Sequence, residues 1–233
     1  MLKLGKVITK FQSRSEEIEM SYFSVNSMSW STPVKLKFII DEQPFATGGF
    51  RAAYMAKLSD WARKYVFKRY LESSLIDLNQ FQETPECHAR KSIQMHSLAA
   101  NFALQLKDLL IANGFKGEAL YYNKASFGKL CSSGEVVTVE EFVEGNFFKC
   151  VNNDGSITPD CNAAMEVKKM AECLTHFSFF KSKEQLMLVD IQGSANVLYD
   201  PEVATMHGSF DEKNELLFCM GNLSTAAKEN FFF

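Results

Sequence analysis

A capped, apolar-faced stretch between Thr84 and Gly114 is the feature of this sequence that most constrains its fold. Thr84-Pro85 places a hydroxyl residue before a proline, as at the N-cap and first position of a helix, and Asn113-Gly114 supplies a stop signal. Between them, apolar residues recur every three or four positions: Ala99, Phe102, Ala103, Leu106, Leu109 and Leu110. The pattern predicts one long helix with a single face buried against the rest of the chain.

Strand patterns lie on both sides of this helix. VKLKFII, FRAAYMAKL and KYVFKRYL precede it and predict an antiparallel, β-rich first half, while EALYYN and EVVTVEEFVEG follow it. Thr158-Pro159-Asp160 repeats the helix-start signal, with an inward stripe of Met170, Leu174 and Phe177. QLMLVDIQG is an apolar run that ends in polar residues and glycine, which predicts a buried strand leading into a site. The order of elements predicts an α+β fold with two lobes.

The domain organisation follows from these patterns. Residues 1–33 are polar and Ser-rich without a clear period, and we interpret them as a leader or a partner-binding arm. Residues 34–233 would form the folded domain, with an N-terminal lobe of about 34–137 and a C-terminal lobe of about 138–233. No apolar run approaches the roughly 20 residues of a bilayer-spanning helix, and no secretory h-region is evident. We therefore expect a cytoplasmic protein without a membrane span.

Composition narrows the classes of partner. Hydrophobic residues at 46% and charged residues at 23% are typical of a folded protein and exclude a disordered chain. A net charge of -3 leaves no excess of Lys and Arg for a nucleic-acid backbone, so nucleic acid is not an expected partner. The six cysteines are widely spaced without a C-x-x-C pair, which favours thiols over a disulfide framework or a zinc finger.

A glycine pair and a strand lysine form the first candidate site. Gly48 and Gly49 lie in a turn between two predicted strands, which is compatible with an ordinary hairpin or with a loop whose N–H groups bind an anion. Lys68 lies seventeen residues beyond Arg51 and shares an otherwise apolar strand face with Val66. A lysine on such a face requires an anionic partner, and an adjacent glycine turn favours a phosphate.

Oxygen-bearing side chains after QLMLV form the second candidate site. Asp190 and Gln192 are two residues apart and would project to the same side if the strand persists, and Asp200 follows. Carboxylate and amide oxygens are ligands that Mg²⁺ takes together with nucleotide phosphates and waters. The alternative is a capped strand end, with Asp200 opening a turn before Pro201.

Three acidic residues interrupt the strand around Glu140, within TVEEFVEG. A solvated edge strand explains them. A strand that offers backbone carbonyls and amides to a purine is the alternative, and the residues alone leave both open.

Taken together and in order, these segments resemble the catalytic domain of the alpha-kinases, the group of the myosin heavy chain kinases, the elongation factor two kinase and the melastatin-type channel kinases. The resemblance runs from about Lys35 to the carboxyl terminus and rests on PFATGGFRAAYMA, YVFKRYL, VTVEEFVEGNFFKCVNNDG, LTHFSFF, LMLVDIQG, LYDP and GNL. It implies a two-lobed kinase-like fold with a nucleotide cleft between the lobes. It also implies a protein serine/threonine kinase that uses ATP and Mg²⁺, and the alternative is a non-catalytic, nucleotide-binding scaffold.

The resemblance further implies roles for individual residues. It assigns to the nucleotide phosphates Gly48, Gly49, Arg51 and Lys68. It assigns Glu140 to an adenine-contacting hinge, and Lys149 and Asn153 to an asparagine-rich loop near the nucleotide. Asp190 matches the essential aspartate, which would orient the Ser or Thr hydroxyl and take up its proton, and Gln192 and Asp200 match the magnesium ligands. Retention of a base and of metal ligands favours the enzyme over the scaffold.

Two departures from the family are visible. His176 matches one ligand of the family's zinc site, but the chain stops at Phe231-Phe232-Phe233, before the partners; Cys173, Cys219 and His207 fit no zinc spacing. We expect no stoichiometric zinc. Two explanations compete: the chain was cut before its zinc ligands, or it ends here and Phe231, Phe232 and Phe233 pack where the metal lobe would be. We favour truncation, because three terminal phenylalanines in water would form an apolar patch. In the family's substrate loop, GNLS carries Ser224 where a glycine is usual.

Overall fold

The computed structural model describes residues 12–59, 63–206, 208 and 218–232. In the N-terminal half, these residues form seven strands and two helices before the chain leaves the long helix: β1 (Ser13–Ser21), β2 (Phe23–Ser24), β3 (Ser29–Trp30), β4 (Val34–Asp41), β5 (Ala46–Thr47), β6 (Arg51–Leu58), β7 (Lys64–Tyr70), α1 (Glu72–Gln80) and α2 (Pro85–Ala112). The remaining elements are β8 (Tyr121–Tyr122), β9 (Ala125–Leu130), β10 (Val136–Glu141), β11 (Phe147–Val151), α3 (Met165–Lys181), β12 (Leu186–Val189), β13 (Ile191–Ser194), β14 (Val197–Leu198), β15 (Glu202–Thr205) and α4 (Thr225–Phe232).

The N-terminal lobe is a seven-stranded sheet in the order β4-β1-β9-β10-β7-β6-β5, with antiparallel neighbours. The edge strand β4 also pairs with β6, where Phe38 lies opposite Leu58. The sheet is therefore closed on itself through this pairing. Six of its strands contribute buried side chains to a common core: Ile18, Phe38, Ile40, Ala56, Phe67, Leu130, Val137 and Val139. This closed arrangement fixes the direction of the outward side chains on β7 and β10.

Strand β1 lies inside this sheet, between β4 and β9. The boundary at residue 34 therefore differs from the structure, because residues 13–21 belong to the lobe and are not a separate arm. The sequence did not predict this strand because only one of its sides is apolar. Ile18 is fully buried, whereas Glu19 on the other side pairs with Lys35 on β4 at 3.4 Å. Acidic residues on the outer side concealed the strand pattern. Residues 1–11 lie outside the described residues.

The long helix predicted from the capping signals is confirmed as α2. The side chain of Thr84 accepts a hydrogen bond from the backbone N–H of Cys87 at 3.1 Å, and Asn113 ends the helix. Its first half packs Ala89 and Ile93 against the N-terminal sheet, and its second half packs into the C-terminal core. Leu109 differs from the prediction, since it is 50% exposed. The helix therefore packs against both lobes.

The C-terminal lobe combines a four-stranded sheet in the order β11-β13-β14-β8 with the β12–β15 pair and helices α3 and α4. The predicted helix start at Thr158-Pro159-Asp160 is wrong, because α3 begins at Met165 after an N-cap, Ala164, that makes no side-chain capping bond. Thr158 instead donates its N–H to the carbonyl of Cys150 at 2.9 Å, which commits this backbone to a turn beside β11. The α+β, two-lobed prediction is confirmed. Among the described helices, none combines the length and hydropathy needed to cross a bilayer.

Candidate active site

A cleft of about 760 Å³ lies between the two lobes. Its walls include most of the residues that the sequence singled out: Gly48, Gly49, Arg51, Lys68, Glu140, Asp190, Gln192 and Asp200. A second cavity of about 860 Å³ lies beside α3 and contains none of the predicted site residues. The interlobe cleft is therefore the candidate site.

Lys68 is held by two carboxylates at the centre of the cleft. Val66 and Lys68 both line it, as the two-residue period of β7 predicts, while Phe67 between them is fully buried in the sheet core. The Lys68 Nζ lies 2.8 Å from Glu140 Oε1 and 2.9 Å from Asp200 Oδ1. The required anionic partner is thus present within the protein. The contact with Asp200 joins the N-terminal sheet to the C-terminal lobe.

The charges of this cluster stabilise one another. Burial by itself lowers the pKa of the Lys68 ammonium, but attraction to Asp200 and Glu140 outweighs burial and holds this pKa above its ordinary value. Desolvation raises the pKa of Asp200, but the Lys68 ammonium outweighs it and holds this pKa below its ordinary value. Lys68 and Asp200 therefore both stay ionised near neutral pH.

The glycine turn is a tight hairpin between β5 and β6. The Gly48 N–H donates to the carbonyl of Arg51 at 2.9 Å, which closes the turn. Neither Gly48 nor Gly49 has a positive φ, and a Cβ added at Gly49 would meet nothing within 4 Å. The fold does not itself demand glycine at position 49. The missing side chain leaves open space at the cleft wall, which suits close approach of an anion to the backbone.

Arg51 is held by a network that the sequence did not reveal. Its guanidinium donates to Thr138 Oγ1 at 3.0 Å and to the Tyr70 hydroxyl at 2.9 Å, and it lies 3.5 Å from His88 Nδ1. The Tyr70 hydroxyl oxygen lies 2.9 Å from His88 Nδ1. Burial, and then the charge of Arg51, lower the pKa of His88 to about 3, so the imidazole is neutral. No local sequence signal connects these four residues, because four separate elements supply them.

Asp190 lies at a break between β12 and β13, with φ 55°. The strand is interrupted at Asp190. Asp190 and Gln192 therefore do not share a strand face, which was predicted for a continuous strand. The two side chains nevertheless meet, because Gln192 Nε2 donates to Asp190 Oδ2 at 3.1 Å and to the backbone carbonyl of Asp200 at 3.2 Å. Lys149 Nζ contacts the other carboxylate oxygen, Asp190 Oδ1. The Asp190 carboxylate is therefore fixed from both sides.

Burial raises the pKa of Asp190, and the Lys149 ammonium opposes that rise. The backbone of Asp190 is also tied down, since its N–H donates to the carbonyl of Asn152 at 3.3 Å. Lys149 does not itself line the cleft and acts through the carboxylate that it contacts.

The oxygen atoms near Asp200 fit a hard divalent cation. Gln192 uses its amide nitrogen on protein acceptors, which leaves its amide oxygen as the end for a ligand. Asp200 is 57% exposed towards the cleft and can accept a further partner besides Lys68. Among the described residues, no group of three or more His, Cys, Asp or Glu side chains could hold a metal ion alone. This arrangement fits Mg²⁺, which takes one or two protein oxygens together with phosphates and waters.

Glu202 is a cleft residue that the sequence analysis missed. Its Oε2 atom is buried and has no hydrogen-bond partner among the described residues. Burial, followed by the charges of Asp200 and Asp190, raises its pKa to about 8. Gly221 passes so close that an added Cβ would lie 2.4 Å from the Glu202 carboxyl carbon. A side chain at position 221 would therefore displace the Glu202 carboxyl group from this place.

The serine that departs from the family pattern is accommodated locally. Ser224 has φ 52°, a conformation that usually favours glycine, and its Oγ accepts a hydrogen bond from the Gly208 N–H at 3.2 Å. The neighbouring Asn222 anchors the segment to β15, since its Oδ1 accepts the N–H of Thr205 at 3.0 Å. The hydroxyl bond offsets part of the cost of placing a side chain there.

Besides Lys149, two further predicted site residues do not line the cleft. Asn153 follows β11 in a turn and does not line the cleft. His176 lies on the exposed side of α3, where its ring is 4.6 Å from that of Phe180 and 5.8 Å from that of Phe232. Its neighbours are thus aromatic rings. Phe232 also packs 5.2 Å from Phe179, and Phe231 and Phe232 are both partly buried, so the apolar patch on which the argument for truncation rests is not seen in the described part of the run.

The cysteines weighed as zinc ligands beside His176 lie in different parts of the described structure. Cys219 lines the cleft, and Cys173 lies on α3, where it borders the second cavity. His207 lies outside the described residues.

Comparisons with known proteins show what the sequence and the fold of this chain are similar to. The sequence model of the Alpha-kinase family matches residues 46–232. Eukaryotic elongation factor 2 kinase of Caenorhabditis elegans is 27% identical over 199 residues, which are 81% of this chain and 22% of that protein. Myosin heavy chain kinase B of Dictyostelium discoideum is 26% identical over 196 residues, 82% of this chain and 23% of that protein. The chain thus spans less than a quarter of the length of these curated relatives.

Solved structures show the same fold. The alpha-kinase domain of myosin heavy chain kinase A in complex with ADP has a TM-score of 0.73 at 18% identity, covering 94% of this chain and 92% of that chain. The same domain in complex with AMPPCP has a TM-score of 0.72 at 18% identity, covering 93% and 89%. At this level of identity the likeness establishes the fold.

Proposed function

The chain belongs to the alpha-kinase family, and on that basis we propose that it is an ATP-dependent protein kinase that phosphorylates serine or threonine hydroxyls of a protein substrate. The observation that carries the proposal is the placement of Lys68, paired with Glu140 and Asp200, in one cleft with Asp190. A phosphate clamp and a candidate base for a hydroxyl therefore line the same cavity. The kinase structures in complex with ADP and AMPPCP support a nucleotide as the cleft's ligand.

The nucleotide would lie along the N-terminal wall of the cleft. The strand end at Glu140 and the adjoining Phe142 and Val143 form an apolar edge with backbone groups suited to a purine. The glycine turn and Arg51 lie on the same wall and would receive the phosphates. Lys68 would exchange part of its contact with Glu140 and Asp200 for a phosphate oxygen, because an ammonium group has three donors.

Mg²⁺ would be held by Gln192 and Asp200, and when bound it neutralises negative charge on the transferring phosphoryl group. The residues present fit this ion, as the donor set of one carboxylate and one amide oxygen indicates. The contact between Lys68 and Asp200 would place the ligand carboxylate beside the phosphate clamp before any ion binds. Glu202 adds a third oxygen-bearing side chain to this end of the cleft.

Asp190 would orient the substrate hydroxyl and accept its proton as the oxygen attacks the γ-phosphorus and the bond to the β-phosphate oxygen breaks. Lys149 and Gln192 fix the carboxylate for this role, one at each oxygen. Lys149 acts as a positioning residue only, whereas Gln192 would also hold Mg²⁺ through its amide oxygen. Asn153, which the resemblance assigns near the nucleotide, receives no support from the cleft geometry.

A phosphoryl-transfer assay tests the proposal directly. The purified chain is incubated with Mg²⁺ and γ-labelled ATP and with peptide libraries that fix Ser, Thr or Tyr at the centre. We expect label on the Ser and Thr libraries, and we expect loss of transfer when EDTA removes the metal. Binding of Mg-ATP by calorimetry without transfer to any library or to the chain itself would instead support the non-catalytic scaffold.

Replacing Tyr70 with phenylalanine is expected to weaken Mg-ATP binding about tenfold, because one hydrogen bond to a guanidinium contributes about 1.5 kcal/mol or more. The hydroxyl accepts from Arg51 and contacts His88, whereas the ring, 4.7 Å from the guanidinium carbon, would remain. Calorimetric titration measures the change. Tyr54→Phe is the matched control, since its ring also lies near an arginine, 5.2 Å from Arg69, which unlike Arg51 does not line the cleft. Equal affinities for both variants would contradict a positioning role for Tyr70.

A further inference from the structure

Two thiols face each other in the core of the C-terminal lobe. Cys150 on β11 and Cys161 beyond the following turn have sulfur atoms 2.9 Å apart. Both side chains are buried, at 2% and 7% exposure. Cys131 and Cys173 are exposed and take no part in this contact. Cys150 and Cys161 thus differ from these exposed cysteines in that both sulfur atoms are buried and in contact with each other.

The backbone between the two cysteines is already folded into a closed loop. Val151 and Ile157 form an isolated antiparallel bridge across it. Thr158 donates its N–H to the carbonyl of Cys150 at 2.9 Å, and Cys161 donates its N–H to the carbonyl of Thr158 at 3.3 Å. Preorganisation of this kind raises the effective concentration of one thiol at the other. Moving the sulfur atoms from 2.9 Å to a disulfide length needs a shift of about 0.9 Å.

The same loop supports the candidate base. Lys149, the residue before Cys150, contacts the Asp190 carboxylate, and Asn152 accepts the Asp190 N–H. In the pairing of β11 with β13, Val151 lies opposite Ile191. A covalent bond between positions 150 and 161 would therefore fix the strand and turn on which Asp190 rests.

We propose that Cys150 and Cys161 are a redox pair, and that a peroxide oxidises them to an intrachain disulfide that locks the 150–161 loop beneath Asp190. One thiolate attacks a peroxide oxygen, which breaks the O–O bond and gives a sulfenic acid and one water. The second thiolate displaces the sulfenic hydroxyl as a second water. Two thiols are oxidised, one hydrogen peroxide is reduced to two waters, and the two thiol protons end in those waters.

The rate of this reaction is limited by burial. Desolvation, followed by the hydrogen bond to Cys161, raises the pKa of the Cys150 thiol, so little thiolate is present near neutral pH. Oxidation is consequently slow, and the pair responds to sustained exposure to peroxide. Cys161, at 7% exposure, is the more accessible of the two thiols.

The test uses the purified full chain, before and after exposure to excess hydrogen peroxide. We expect non-reducing peptide mapping to link Cys150 to Cys161, in a cross-linked peptide about 2 Da lighter than the sum of its two thiol peptides because two hydrogens are lost. We expect Tm to rise by about 5 °C, because the bond constrains the unfolded chain. Dithiothreitol should reverse both changes. None of these readouts requires kinase activity, so the result is independent of the proposed function.

Variants complete the test. Cys161→Ser should lose both the mass change and the Tm rise, and Cys150→Ala provides the same check if the serine variant folds poorly. Cys173→Ser, which removes an exposed thiol, should behave like the unaltered chain. A disulfide mapped to another pair would overturn the proposal. Sulfinic acid at Cys161 without a cross-link, or thiols that persist after the exposed cysteines have reacted, would do the same.

Discussion

Replacing Asp190 with asparagine is expected to reduce the rate of phosphoryl transfer by about 10²–10⁴-fold, the usual contribution of a positioned general base. Affinity for Mg-ATP should change much less, because the proposed partner of Asp190 is the substrate hydroxyl. Asparagine is the informative substitution, since Asp190 has φ 55° and asparagine tolerates this left-handed conformation. The variant removes the charge while keeping the backbone geometry. Single-turnover kinetics and calorimetry measure the two effects separately.

Comparison with Asp190→Ala separates chemistry from folding. Both variants remove the base and should be equally inactive. Alanine is strained in the left-handed region, so Asp190→Ala should have a free energy of unfolding about 1 kcal/mol lower than Asp190→Asn. Lys149 loses its carboxylate in either variant, and its side chain is 31% exposed, so water can solvate the ammonium. An Asp190→Asn protein that turns over at the unaltered rate would remove Asp190 from the mechanism.

Features with a local cause could be predicted from the sequence. The limits of α2 follow from Thr84 and Asn113, which satisfy the helix ends with neighbouring groups. The inward direction of Lys68 follows from the two-residue period that it shares with Val66. In both cases the deciding interaction lies within a few residues, so the sequence pattern contains it.

Features that depend on distant partners could not be predicted. Strand β1 joins the sheet because β4 and β9 cover its edges, although its own residues are mostly charged or polar. The Arg51 network joins Tyr70, Thr138 and His88, and their spacing in sequence does not indicate contact. The alternation that placed Asp190 and Gln192 on one strand face fails because the chain turns at Asp190 to pass from β12 to β13.

Replacing Lys68 with methionine is expected to lower kcat/KM for ATP by about a hundredfold or more, because a cation of the phosphate clamp contributes several kcal/mol to transition-state stabilisation. The matched control is Lys64→Met on the same strand. Lys64 is 54% exposed and pairs with the exposed Glu144, so its loss should change activity and stability little. Steady-state kinetics over a range of ATP concentrations compares the two variants.

Loss of Lys68 also removes the counter-charge of Glu140, whose side chain is only 7% exposed. A buried carboxylate without its cation costs about 3 kcal/mol or more, so the Lys68→Met protein should unfold at lower denaturant concentration. The double variant Lys68→Met/Glu140→Gln removes that unpaired charge and should recover most of the stability. It should remain inactive, because the clamp is still missing. Recovery of activity together with stability would show that Lys68 serves the fold and has no direct part in the reaction.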